Sequence, residues 1–385
     1  MGRRGVVWRR WAFALAAGLA LSGCAEPAVD PPGEADLELG AVMSADAEGF
    51  ARVTGPPQLE FPRDHGVHPD QRSEWWYFTG NLTGPEGRAF GFQLTFFRFA
   101  LAPQAPDPDS PWATRQAWMA HFAVSDVDGG GFHAFQRLQR GALGLAGAET
   151  GPVRVWLDHW EMRSESPGAL FPLLLRASQD GVSLGLRLTA DKPRVLQGDA
   201  GYSRKGADPG NASAYYSYTR LAAEGRVTLD GGEHAVTGSA WLDREWSTSA
   251  LDPGLAGWDW LALQITDGRD LMLYRLRRQD GRPARWSAGT LVGPEGDARR
   301  LGVGEFTMAP LEHWRSPATG VSYPVGWRVQ VPSAGLDLEV SPALENQELR
   351  FGFRYWEGAV RARRAGSGED AGVGYLELTG YEAQP

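Results

Sequence analysis

The chain of 385 residues has 42% hydrophobic and 11% aromatic residues, with Gly 50, Pro 26 and Trp 16, enough apolar material for one large or two ordinary domains. Its formal net charge of -9 and pI near 5.4 argue against a phosphate-binding face, which would concentrate Lys and Arg, so nucleic acid is not an expected partner.

In chain order, Arg3, Arg4, Arg9 and Arg10 precede an apolar run from Trp11 to Leu21, the pattern of a signal peptide over 1–23. Leu21-Ser22-Gly23-Cys24 resembles the lipobox of bacterial lipoproteins, and Cys24 is the sole cysteine, standing where lipidation needs a thiol. That motif implies a lipid anchor at Cys24. With Ala25 rather than Asp after it, the expected address is the periplasmic face of the outer membrane. No other run reaches the ~20 apolar residues that a membrane helix needs. Residues 24–57, rich in Pro, Ala, Gly, Asp and Glu and nearly free of aromatics, read as a flexible tether.

From Leu59 onward the text becomes short β-type runs separated by Gly, Pro, Asp and Asn. Ser73-Glu-Trp-Trp-Tyr-Phe-Thr-Gly-Asn-Leu82 puts Trp75 and Tyr77 on one face of a strand and Trp76 and Phe78 on the other, so both faces must be covered. A turn at Gly84-Pro85-Glu86-Gly87 leads to Ala89–Ala100, and the two runs read as a hairpin. Further strands are expected at Gln116–Asp126, Val153–Met162, Val182–Ala190, Ala214–Leu221, Gly225–Leu229 and Ala235–Trp241. The plan then repeats weakly: an aromatic strand Gly257–Ile265, a Gly268-Arg269 turn and an apolar strand Leu271–Arg277. After it come runs at Arg285–Val292, Gly304–Met308, Gly326–Val331, Asp337–Ser341, Tyr355–Val360 and Gly372–Leu378. Strongly twisted sheets rarely exceed ~10 strands without closing or splitting, so this pattern predicts an all-β chain of two consecutive barrels, over 58–245 and 246–385.

The aromatic hairpin, the run Gly-Ser-Ala-Trp-Leu-Asp-Arg-Glu-Trp at 238–246 and Gly-Trp-Asp-Trp at 257–260 together resemble the AttH-like, lipocalin-like secreted proteins related to carotenoid 1,2-hydratase (hydroxyneurosporene synthase), over about residues 58–383. The resemblance implies two calycin-type barrels side by side, with space inside or between them for a large hydrophobic ligand such as a lipid, polyketide or terpenoid. The first expectation is therefore a periplasmic lipoprotein that binds such a hydrophobic or amphipathic ligand, with a role accessory to an ABC exporter; the alternative is a hydratase or isomerase acting on a polyene or terpenoid. In the hydratases the first run carries a His beside Asn-Trp and the following strand a Tyr and a catalytic Asp. Here those positions read Arg244-Glu245-Trp246 and Tyr274-Arg275-Leu276, so Trp246 and Tyr274 match while the His and the acid do not. Hydrating an alkene needs an acid able to protonate carbon, which places the burden on other carboxyls.

Asp243 and Glu245, two apart in a strand, share a face with Trp241. They are either a proton-sharing pair facing a cavity or members of ion pairs with Arg244 or other arginines, the commoner arrangement of such clusters. Glu74 is either a buried acid walled by aromatics or the partner of Arg72 or Arg98. His121, mid-strand, reads as a half-buried, hydrogen-bonded histidine and is the best-placed base. Asp243, Glu245, Glu74 and His121 are therefore the acid–base candidates, and Trp75, Trp76, Tyr77, Trp241, Trp246, Trp258, Trp260 and Tyr274 the ligand-binding ones. His65 and His68 lack a further nearby ligand, so zinc is not expected, nor is any cofactor. No Gly-x-Ser-x-Gly elbow supports a hydrolase.

Overall fold

The computed structural model of the protein describes residues 48–104, 110–248, 252 and 254–382; the signal segment, Cys24 and most of the expected tether lie outside them. Among the described residues helix is confined to three single 3-10 turns.

The first sheet contains β1 (Ser73–Thr83), β2 (Ala89–Ala100), β3 (Gln116–Asp126), β4 (Gly131–Arg140), β5 (Ala146–Thr150), β6 (Val153–Leu157), β7 (Trp160–Ser164), β8 (Leu173–Gln179), β9 (Val182–Ala190), β10 (Val195–Leu196), β11 (Tyr202–Arg204), β12 (Ala212–Leu229) and β13 (Gly232–Ser247). Its order, β4-β3-β2-β1-β13-β12-β9-β8-β7-β6-β5, rolls it into a nearly closed barrel. The first strand pairs with the last from Ser73↔Ser247 to Thr83↔Thr237. The edge strand β4 approaches the other end of the sheet at a seam, where Arg137 and Gln139 donate to Asp158, just after β6, at 3.4 and 3.0 Å.

The second sheet contains β14 (Leu255–Ile265), β15 (Asp270–Arg278), β16 (Ala288–Val292), β17 (Ala298–Gly302), β18 (Thr307–Arg315), β19 (Ser322–Val331), β20 (Leu336–Pro342), β21 (Glu348–Arg350), β22 (Arg354–Arg364) and β23 (Asp370–Thr379). It runs β17-β16-β15-β14-β23-β22-β20-β19-β18 and curls into a half-barrel. The all-β expectation and the lipocalin-like architecture therefore hold, with the second barrel left open.

Each sheet fills its own concavity. Trp76, Phe78, Phe92 and Phe122 belong to the first core, and Trp327, Leu338, Trp356 and Leu376 to the second. Because side chains alternate along a strand, the residues between these point the other way, and the two sheets meet through that second set of faces. Tyr77, Tyr215 and Trp241 from the first sheet pack on Trp260, Met272 and Tyr274 from the second. Gly91 makes part of this approach possible, since a Cβ there would stand 2.7 Å from that of Ala359 on β22. A buried ionic pin adds to it: Asp270 of β15 accepts from Lys192, just after β9, at 2.8 Å and from Arg220 of β12 at 2.6 Å.

Several strands differ from expectation for local reasons. The run Val153–Met162 breaks at Asp158, whose φ of 55° turns the chain between β6 and β7. The runs Ala214–Leu221 and Gly225–Leu229 fuse into the 18-residue β12, because β9 and β13 pair with it across the gap. The Gln- and Arg-rich β4 carries little apolar alternation because it is an edge strand at the seam. Within the segment read as tether, Val53 is buried in the first core and Thr248 Oγ1 donates to the carbonyl of Ala51.

Candidate active site between the two sheets

A cavity of about 130 Å³ lies between the facing sheets. From the first sheet, β1 lines it with Trp75 and Tyr77, β12 with Tyr215, and β13 with Asp243 and Glu245. From the second, β14 supplies Trp258 and Trp260, β15 supplies Tyr274 and Leu276, and the neighbouring pair β22 and β23 brings Glu357 and Glu377. Four carboxyl groups thus reach one aromatic-walled space.

Asp243 is fixed by three groups. Tyr215 Oη donates to Oδ2 at 2.5 Å, Trp241 Nε1 to Oδ1 at 2.7 Å, and Ser217 Oγ also to Oδ1. Burial pushes this carboxyl up to about 7 despite those donors, and the charge of Glu245 adds to the rise. Of the three partners only the Trp241 N–H is obliged to donate; the two hydroxyls can turn and accept. Asp243 can therefore hold or release a proton near neutral pH with its hydrogen bonds satisfied in both states.

Glu245 stands 3.2 Å from Lys205 Nζ and accepts from Ser213 Oγ. Burial alone would lower the Lys205 ammonium, but the Glu245 charge raises it, and the ammonium lies over the Tyr274 ring at 4.5 Å. Glu357 and Glu377 are directly opposite each other in the β22–β23 register, where like charges are destabilising. Burial pushes Glu377 up to about 8, against the hydrogen bond it accepts from Trp258 Nε1 at 3.1 Å; the charges of Asp243 and Glu245 push the same way as burial. Burial, then the charge of Glu377, drives Glu357 well above the ordinary carboxylate range. The hydroxyls of Tyr77 and Tyr355 stand close enough to Glu357 to oppose this rise through hydrogen bonding, yet neither carboxyl oxygen nor Tyr77 Oη has a partner at good hydrogen-bond geometry.

The expected site residues fall into two groups. Asp243, Glu245, Trp75, Tyr77, Trp258, Trp260 and Tyr274 come together around the cavity. Trp241 stands one layer back, bonded to Asp243 and edge-on to Trp260 at 6.2 Å. His121 stands behind the wall as well, its Nδ1 2.6 Å from Oη of the lining residue Tyr355, and burial pushes the imidazole down to about 3.

Glu74, Trp76 and Trp246 point away, into the first barrel. Glu74 accepts from both Arg98 and Arg244 and from the His68 backbone N–H at 3.0 Å. Burial would raise this carboxyl, but the Arg244 and Arg98 charges hold it well below the usual carboxylate range. Arg244 lies over Trp76 at 3.8 Å, and His68 stacks on Trp246 at 3.8 Å. Arg244 thus serves Glu74, and the cation beside Glu245 is Lys205. No three Asp, Glu, His or Cys side chains of the described residues converge as a metal site.

Tyr215, Lys205, Glu357 and Glu377 were not anticipated. A signal existed for the two glutamates: each lies inside an expected strand, on the face opposite core residues such as Trp356 and Leu376. A carboxyl there faces either solvent or a second packed layer, and strand alternation alone does not distinguish the two.

The AttH-like family model matches residues 52–381. The chain belongs to the AttH-like family. A crystal structure of an AttH candidate from Nitrosomonas europaea is 38% identical, with a TM-score of 0.76 over 86% of this chain and 100% of that one. The kievitone hydratase of Nectria haematococca shares the fold, at 16% identity and a TM-score of 0.64 over 86% of this chain and 95% of that one. Among curated proteins no relative matches this AttH-like chain.

Proposed function

We propose that this protein is an acid–base enzyme of hydratase or isomerase type, acting on an unsaturated ligand held between the two sheets. The observation that carries the reading is Asp243: a buried carboxyl on the cavity wall, poised near neutrality by burial and served by two reversible hydroxyl partners. A pure carrier of an apolar molecule gains nothing from burying such groups, whose desolvation is costly.

In the hydration direction the Asp243 O–H gives its proton to one alkene carbon, and the π electron pair becomes the new C–H bond. The neighbouring carbon becomes cationic beside the Trp75 and Trp260 rings, where aromatic faces attract positive charge. Water adds there through oxygen, and its surplus proton passes to Glu245 and from there returns to Asp243. The net change is alkene plus water to alcohol. Position 276, which the resemblance assigns to an acid, lines the cavity as Leu276, and β13 brings the acid from the other sheet. The position assigned to the His, Arg244, is committed to Glu74.

The test is transfer of label from ¹⁸O water into ligand that co-purifies with the protein from its native membranes. Incorporation with the wild type and none with Asp243→Asn supports the enzyme. A stoichiometric ligand left unchanged makes the protein a carrier instead. Anchorage through Cys24 is part of the same proposal: Cys24→Ser should move the protein to the soluble fraction, and continued membrane retention would refute the anchor.

A further inference from the structure

The corner of the cavity formed by Glu357, Glu377 and Tyr77 is not used by the proton transfers of Asp243, and its geometry is unusual for a buried place. Glu357 is 1% exposed and Tyr77 6% exposed, yet both oxygens of Glu357 and the oxygen of Tyr77 lack a hydrogen-bond partner at good geometry, the neighbouring phenols standing close but misaligned. Unmade hydrogen bonds on buried polar atoms are expensive, and native proteins keep few. All three atoms belong to side chains that line the cavity, and Trp258, Trp260 and Tyr274 line the same space.

We propose that this corner recognises a primary ammonium group, one N–H each to the two Glu357 oxygens and to Tyr77 Oη, with the carbon attached to nitrogen lying among the aromatic rings. A primary ammonium has three donors and no acceptor, which matches three unpartnered oxygens. Aromatic faces favour a cation, and Glu377 directly across the register adds a second carboxyl. A neutral alcohol has one donor and leaves two of the three atoms unpaired. A quaternary ammonium has none. The cavity of about 130 Å³ is close to the ~150 Å³ that admits one benzene ring, so the enclosed part of the ligand is a short alkyl or single-ring amine. The inference rests on the reading of this cavity as the substrate site and names a chemical class for what enters it.

The groups facing Glu357 are Glu377 on β23, Tyr355 on its own strand, Tyr77 on β1 and Tyr375 on β23. Asp243 and Glu245 lie beyond them, with Lys205 paired to Glu245. Burial favours the protonated form of Glu357, and an ammonium favours the ionised form. Binding therefore releases a proton and tightens as pH rises for as long as the amine stays charged.

The experiment uses the folded protein with benzylamine, benzyl alcohol and benzyltrimethylammonium, followed by tryptophan fluorescence and by calorimetry in two buffers of different ionisation enthalpy. Benzylamine should bind at least about tenfold more tightly than the other two, a margin of about 1.4 kcal/mol, with proton release. Glu357→Gln should abolish both the preference and the proton release, while Asp243→Asn should keep them. Equal binding of amine and alcohol, no binding by any of the three, or a preference that disappears in Asp243→Asn but survives in Glu357→Gln each overturns the proposal. The last would assign the preference to the corner that steadies a transient cation. The acid–base reading has its own readout in label transfer from water, so it stands or falls independently.

Discussion

Glu74 and Asp243 sit on paired strands, three residues of β1 apart in register, and both are enclosed by protein; they have been given opposite environments. Glu74 faces the first barrel and meets two guanidinium groups, so it is held as a carboxylate. Asp243 faces the second sheet and meets only neutral donors, so burial prevails and its proton is held to about 7. One β-ladder thus separates a structural ion pair from a proton-transfer group by nothing more than which side of the pleat each occupies. The Glu74 ion pairs lie inside the barrel, and the raised carboxyls of Asp243 and Glu377 lie between the sheets, beside the ion pair of Glu245 with Lys205.

The largest expected effect breaks the structural side. Glu74→Gln leaves Arg98 and Arg244 buried without their carboxylate and should cost about 3–5 kcal/mol of unfolding free energy, read by denaturant titration. The fraction still folded should keep its cavity and bind as the wild type does. Unchanged stability would mean that the cluster is not the ionic staple described.

Next in size is the chemical side. Asp243→Asn keeps an acceptor for the Trp241 N–H and lets the hydroxyls of Ser217 and Tyr215 reorient, so the fold should persist while turnover falls about 100-fold or more. In the wild type, turnover in the hydration direction should decline as pH rises through about 7, where Asp243 loses its proton. A flat profile from pH 5 to pH 9 would remove Asp243 from the acid's role.

The smallest effect sharpens the contrast through stability against pH. Asp243 and Glu377 are raised on folding, from 3.8 to about 7 and from 4.5 to about 8. The native state binds the extra protons, so their stabilisation is complete below the lower values and lost as pH climbs through the upper ones. Glu74 works oppositely: it is lowered from 4.5, and its contribution is lost on acidification. The double substitution Glu357→Gln with Glu377→Gln should flatten the decline that begins near pH 4.5, matching wild type within about 0.5 kcal/mol at pH 3.5 and exceeding it at pH 8.5. A double variant that follows the wild-type curve throughout would show that these carboxyls are already ionised in the native state.

Much of this was legible beforehand. The hairpin of β1 and β2 forms as read, and Trp75 with Tyr77 separates from Trp76 with Phe78 because alternation in a strand is a property of the local backbone. The same rule put Asp243 and Glu245 on one face, and both line the cavity. Less legible was Glu74: its neighbours Trp75 and Trp76 suggested an aromatic site, but its charge is answered by Arg98 and Arg244, and Arg244 is 170 residues away in sequence.

By itself the sequence determined strand character, the two-sidedness of the aromatic runs and the family to which the chain belongs, since these depend on residue type and short-range spacing. The tertiary structure decided which face of each strand became a barrel interior and which became the wall of the cavity. That choice depends on how β13 closes onto β1 and how the second sheet docks against both. Glu357 and Glu377 reach the carboxyls of β13 only through that docking, and no local pattern along the chain encodes a distance between two sheets.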